Sequence, residues 1–216
     1  MKNSQLSTYN SQLVPPGYKQ TEVGVIPEDW EVKTFVELFN FSGGYSTSRD
    51  QLSSEGHCYL HYGDIHKSSK TFIDVQSEYQ EIPKLNIPLK RISPVSLLDD
   101  GDVVFVDASE DDEGASKHVV IINKGKIPFI AGLHTIVVKS KTDDLDHNYR
   151  RYCFQTREIK RQFYYYAVGT KVTGISKTNA SRKAICYSLA LVKQLRKSES
   201  ALLFLVKKNP MLVATL

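Results

Sequence analysis

Six histidines (His57, His61, His66, His118, His134 and His147) and three cysteines (Cys58, Cys153 and Cys186) are the side chains to question first about metal or nucleophile chemistry. His57 and His61 fall in a run that reads as a strand, where a spacing of four spans about 13 Å, too far for two ligands of one ion. No HExxH, CxxC or Cys/His set accompanies them, so these histidines read as surface or core residues. The stretch from Val106 to Lys117 holds Asp107 and the run Glu110, Asp111, Asp112, Glu113, but Glu113 and Lys117 are four apart rather than in the ExK spacing of metal nucleases. A magnesium nuclease centred on Asp107 to Glu113 therefore stands only as a third reading. There is no GxSxG elbow, and Gly43-Gly44 is followed by Tyr45-Ser46-Thr47 without the lysine of a phosphate loop or the glycine pattern of a dinucleotide site. The sequence predicts no catalysis by this chain alone and no cofactor.

Charge is more informative than any catalytic motif. The net charge of +4 hides two opposite segments. Residues 1–146 carry 14 Lys or Arg against 22 Asp or Glu, net −8, whereas residues 147–216 carry 14 against 2, net +12. In the basic segment Arg150, Arg151, Arg157, Lys160, Arg161, Lys171, Lys177, Arg182 and Lys183 are spread among Tyr and Phe. Such asymmetry points to a polyanion partner, the alternative being cations that solvate helix faces or pair with the acidic half. No apolar run approaches the ~18 residues of a membrane span. The opening residues lack a signal-peptide core and the cysteines form no disulfide pattern, so a cytoplasmic protein with no membrane partner is expected.

The elements that must position these groups follow from periodicity. Residues 1–16, polar and ending in Pro15-Pro16, read as a mobile arm. Val32, Phe35, Val36, Leu38 and Phe39 predict a short helix over Trp30 to Phe39, feeding the Gly43-Gly44 loop. Short β runs follow at Cys58–Tyr62, Val103–Val106, Val119–Ile122 and Thr135–Val138. From His147 to Ala167, Tyr149, Tyr152, Cys153, Ile159, Phe163 and Tyr166 recur at spacings of three and four, which predicts an amphipathic helix closed by Gly169. Ala184 to Val192 fits a strand, and beyond it no clean stripe is visible.

Five phrases carry a family resemblance: Gly17 to Val32 (GYKQTEVGVIPEDWEV), Tyr59 to His66 (YLHYGDIH), Gly101 to Gly114 (GDVVFVDASEDDEG), Ala131 to Thr135 (AGLHT) and Gly169 to Lys177 (GTKVTGISK). In this order they resemble the DNA-specificity (S) subunits of type I restriction-modification systems. The resemblance implies an α+β fold: a twisted β-rich target recognition domain over residues 17–183, including the helix near 147–167, followed by a helical C-terminal segment. It also implies a non-catalytic reader of one half of a split double-stranded DNA site. Its partners would be the methyltransferase (M) subunit, through it the restriction (R) subunit, and a second S chain. From Ala184 to Lys197 the proline pair and Glu-Gln that precede the family's heptad helix are missing. Residues 184–216 are thus expected to be a divergent remnant of the spacer helix, from truncation, a frame shift or divergence. The alternative function is a shortened S-like chain that binds M or S subunits and modulates assembly without reading DNA.

Base reading needs cations for phosphates and polar side chains that reach groove edges. Two loops supply both. In one, Ser46, Thr47 and Arg49 follow the glycine pair, Arg49 being able to bind guanine, with a solvated turn as the alternative. In the other, Thr170, Lys171, Thr173, Ser176 and Lys177 surround two glycines, which also fits a helix cap leading into a strand. His66, Lys67 and Lys70 complete the set, with Asp64 expected to cap a turn. The Glu110–Glu113 run is expected to face solvent or a basic partner protein. Tyr164-Tyr165-Tyr166 fits either base stacking or helix packing.

Overall fold

A computed structural model describes residues 14–21, 24–109, 117–143, 145–155, 159–160, 163, 173–174, 176–178 and 184–188. In chain order its strands begin with β1 (Tyr18–Thr21), β2 (Gly24–Pro27), β3 (Trp30–Thr34), β4 (Phe39–Gly43), β5 (His57–Leu60), β6 (Phe72–Asp74) and β7 (Lys84–Leu85). They continue with β8 (Val103–Val106), β9 (Ala108–Ser109), β10 (His118–Ile122), β11 (Phe129–Ala131), β12 (Thr135–Ser140), β13 (Thr173–Gly174) and β14 (Ala184–Ser188). The helices are α1 (Phe35–Leu38), α2 (Tyr62–His66) and α3 (His147–Cys153). This is a mixed α+β fold with several sheets and few, short helices.

The organising unit is a five-stranded sheet in the order β4-β12-β8-β10-β6, antiparallel except where β6 joins β10. Its central strands β12, β8 and β10 are buried on both faces, so β8 reads Val-Val-Phe-Val without a polar residue. Because side chains alternate along a strand, Val103 and Phe105 point to one face, Val104 and Val106 to the other. The first face meets α1, α3 and an aromatic cluster in which Phe105 stacks on Phe163 at 5.2 Å and Phe154 stands edge-on to Phe35 at 5.2 Å. The second face packs on a three-stranded sheet, β11-β5-β7, and on Ile65 of α2. Each fully buried Phe, Leu or Val contributes about 1.5–3 kcal/mol. Both faces of the central sheet are therefore committed to packing, which leaves its ends for other work.

Two elements differ from the sequence-based expectation. Trp30 to Phe39 is not one helix: Trp30–Thr34 is strand β3, paired antiparallel with β14 from the far end of the chain. Only Phe35–Leu38 is helical, with the Glu37 carboxylate accepting from Thr34 N at 2.6 Å at its start. A sheet partner 150 or more positions away is invisible to a local pattern, and pairing overrides helical spacing. The amphipathic stretch near 147–167 is interrupted: α3 ends at Cys153, Phe154 and Gln155 form a turn, and Ile159 and Phe163 are again helical and buried as the stripe predicts.

Candidate nucleic-acid interface

Loops from distant parts of the chain converge where β8 finishes and β12 begins. Residues 44–51 follow β4, α2 follows β5, Asp107 follows β8, and 132–134 joins β11 to β12. Thr173-Gly174 pairs with Ala108-Ser109 beside Asp107, and Lys177 reaches back until its Nζ lies 3.2 Å from where a Cβ on Gly43 would be.

Close backbone approach holds this surface in place. A Cβ on Gly44 would lie 1.8 Å from the carbonyl oxygen of Gly132, so the glycine lets the two loops touch, and Tyr45 N donates to Ala131 O at 2.7 Å. Beneath them the buried Tyr59 hydroxyl donates to Tyr45 O (2.9 Å) and accepts from Leu133 N (3.1 Å). Burial raises the pKa of this phenol, which keeps it a donor. Thr135 Oγ1 donates to Gly132 O at 2.6 Å, and His134 takes the left-handed conformation at φ 59°. One buried tyrosine thus ties two loops into a single surface.

On that surface the polar groups form a chain. Arg49 Nη2 donates to Asp64 Oδ1 at 2.6 Å and to His61 Nδ1 at 3.0 Å. His61 Nδ1 also accepts from Gly63 N at 3.0 Å. A guanidinium and a backbone amide can only donate, so Nδ1 is the unprotonated nitrogen and the proton sits on Nε2. Burial first, and the Arg49 charge second, lower the His61 pKa, in keeping with a neutral ring. His61 lies against Tyr62 at 4.6 Å, Tyr62 meets His134 edge-on at 5.4 Å, and His134 Nδ1 is 3.3 Å from Asp107 Oδ1. A cleft of about 290 Å³ floored by Leu60, Val119 and Phe129 separates Arg49–Asp64 from a second ion pair, Lys70 with Glu78 at 2.6 Å.

Several sequence-predicted residues meet here and others do not. Ser46 and Arg49 are exposed, Lys67 is exposed on the C-terminal side of α2, and Ser176 and Lys177 are exposed beside β4. Thr47 donates its hydroxyl to Gln51 Oε1 at 2.5 Å and stabilises its own loop. His66 contributes its carbonyl to Lys117 Nζ at 2.6 Å. Thr173 enters through its backbone pairing with Ser109. Thr170, Lys171, Glu110–Glu113 and Tyr164–Tyr166 lie outside the described residues. Lys70 is exposed and pairs with Glu78. Two expectations are corrected. Asp64 does not cap α2; His61 does, and Asp64 engages Arg49. Arg150 is not a surface cation, being only 2% exposed, with Nη1 on Gly101 O (2.6 Å) and Nη2 on Leu145 O (2.7 Å). Sequence reasoning missed Tyr59, Tyr62, Leu133 and His134 as interface elements. The phrases Tyr59–His66 and Ala131–Thr135 contain all four, yet nothing local says that these phrases touch.

No family model matches the chain, and no curated protein matches it. Among solved structures, the HsdS subunit from Thermoanaerobacter tengcongensis is similar over 92% of this chain and 44% of that chain, at 11% identity and a TM-score of 0.50. A chain solved in work on complex assembly and conformational transition of the type I R-M system gives 14% identity and a TM-score of 0.49, over 82% and 40% of the two chains. The type I restriction-modification S subunit from M. genitalium gives 13% and 0.46, over 77% and 38%. The likeness is partial. At these identities it concerns the fold alone, and the chain spans roughly two fifths of the length of each solved chain.

Proposed function

We propose that this chain reads duplex DNA as a half-site recognition unit of the type I specificity-subunit kind, through the surface built by residues 44–51, 62–67, 132–134 and 173–178. The carrying observation is the convergence of those loops, bearing Arg49, Lys67 and Lys177, on one end of a sheet whose faces are both occupied by packing. The partial likeness of the fold to an HsdS subunit supports the same reading. Lys67 and Lys177 answer phosphates, while Ser46, Arg49 and Ser176 supply donors and acceptors for groove edges. In this proposal the chain works in the cytoplasm with an M subunit, through it an R subunit, and with a second S chain. No cofactor or catalytic residue is assigned.

A protein-binding role is the second reading, favoured by the two carboxylates on the same surface, Asp64 and Asp107. Fluorescence anisotropy on labelled duplex pools at low salt, with and without an M subunit, separates the two. The DNA reading expects binding that weakens steeply as salt rises and tightens when M is present. M-subunit capture with no duplex binding at any salt would replace it by the second reading.

A further inference from the structure

The group that stands out on this surface is Arg49. It is the exposed arginine of the candidate interface, with a side chain 55% accessible, yet its Nη2 is already engaged by a carboxylate and an imidazole. Among the described residues no acceptor faces its Nη1 or Nε. Asp64 offsets the charge of the guanidinium at 2.6 Å, so its pull on a phosphate, which depends on net charge, is weakened. Directional donation from Nη1 is not weakened. An arginine whose charge is compensated but whose outer N–H groups are open is suited to a neutral acceptor on a base edge more than to the backbone.

Resting on the DNA-reading proposal above, we infer that Arg49 is a specificity-determining residue for guanine, and that Asp64 and His61 are the positioning residues that aim its guanidinium. In the major groove guanine presents two neighbouring acceptors, O6 and N7, whereas adenine places an amino donor beside its N7. One Nη1 N–H of Arg49, pointed between O6 and N7, meets two acceptors in guanine and is opposed by the amino group in adenine. The two contacts on Nη2 fix the guanidinium before DNA arrives, which reduces the ordering penalty on binding. His61 is itself fixed by Gly63 N and by the Tyr62 ring, so the arrangement rests on α2 rather than on a free loop.

The test uses the full chain and synthetic duplexes. Selection from a randomised duplex pool first gives the preferred site; affinities are then measured with each guanine replaced in turn by 7-deaza-dG, which removes N7. The wild type is expected to lose about tenfold at one position. Arg49→Ala should be insensitive to that replacement and should weaken the selected duplex more than random duplex. Asp64→Asn should lose most of the preference for guanine over adenine there with an unchanged thermal midpoint, and Asp64→Glu should restore part of it. A chain that selects a site but senses no 7-deaza-dG overturns the role of Arg49 and leaves DNA reading standing. So does an Arg49→Ala variant that weakens selected and random duplexes equally. A wild type that selects no site at all overturns both.

Discussion

The two ends of the central sheet use the same three residue types for opposite purposes. Where β8 finishes, Arg49, His61 and Asp64 are exposed or half-buried, and the arginine spends one nitrogen on its neighbours. Where β8 begins, Arg150, His147 and the aspartates of the Asp99–Asp102 turn form the other set. There Arg150 is buried and spends both terminal nitrogens on backbone carbonyls. Asp102, also buried, accepts from Asp99 N at 2.8 Å and Lys139 Nζ at 2.6 Å. Burial raises the Asp102 pKa even against the Lys139 charge. The difference teaches that burial, not residue type, decides whether an arginine is a strut or keeps donors open to a partner. A buried guanidinium held by two backbone carbonyls fixes α3 to the 99–102 turn; an exposed one with open donors can still meet a partner.

Stability measurements break or support this contrast most directly. Arg150→Ala removes two charge-assisted bonds, strands the Gly101 and Leu145 carbonyls and opens a cavity beside Phe39, over whose ring the guanidinium lies at 5.6 Å. A loss of about 3 kcal/mol or more is expected in urea unfolding. Arg49→Ala breaks an ion pair whose members are 55% and 37% accessible, and about 0.5 kcal/mol or less is expected. Equal losses would mean that both arginines are struts.

How far this was legible in the sequence follows from the range of each signal. The four β runs along residues 58–138 and the stripe of Tyr149, Cys153, Ile159 and Phe163 are local patterns, and the structure places them in strands or in the core except for His61 and Tyr62, which open α2. Strand β3 was misread because its partner β14 lies at the other end of the described chain. The glycine pair was noticed but its purpose was not, since the atom that Gly44 must avoid belongs to Gly132. Arg49 was legible as a candidate, whereas its coupling to Asp64 and His61 was not, because side-chain orientation around α2 sets it. Arg150 shows the reverse error: in a basic stretch every cation looks alike, and only packing separates the buried one.

Titration sharpens the comparison with a smaller effect. His61 and His147 both have pKa values lowered from 6.5, first by burial and second by the neighbouring Arg49 or Arg150. Asp64 pulls His61 upward while His134 and Lys67 push it down; Asp100, Asp146 and Asp143 pull His147 upward, and burial outweighs them. Because the folded values lie below the unfolded one, the unfolded chain takes up protons first on acidification. Stability from both histidines is complete above the ordinary value, falls as pH drops below it, and stops falling once pH passes the folded values. His147→Gln should flatten thermal midpoints between about pH 7.5 and about pH 5 without altering DNA selectivity. For His61 the same acidification should also erode selectivity, because a proton on Nδ1 would oppose the donors of Gly63 and Arg49. Selectivity that follows His147 instead would reverse the assignment of the two ends.

The smallest effect is expected from Lys70, which by residue type alone belongs with Lys67 and Lys177. Its Nζ sits 2.6 Å from Glu78 Oε2, and Glu78 in turn accepts from Asp74 N through Oε1 at 3.1 Å, so the carboxylate is anchored and the lysine follows it. To meet a phosphate, Lys70 would have to leave Glu78 behind as an uncompensated anion facing DNA. No ion-pair partner is found for Lys67 or Lys177 among the described residues. Each phosphate contact contributes about 0.9 to the slope of log affinity against log salt. Lys67→Ala and Lys177→Ala should each lower that slope by roughly one contact. Lys70→Ala should leave it unchanged, and Glu78→Gln should raise it by freeing the lysine. A slope that falls with Lys70→Ala would extend the interface across the cleft, and the contrast between paired and unpaired cations would no longer mark its edge.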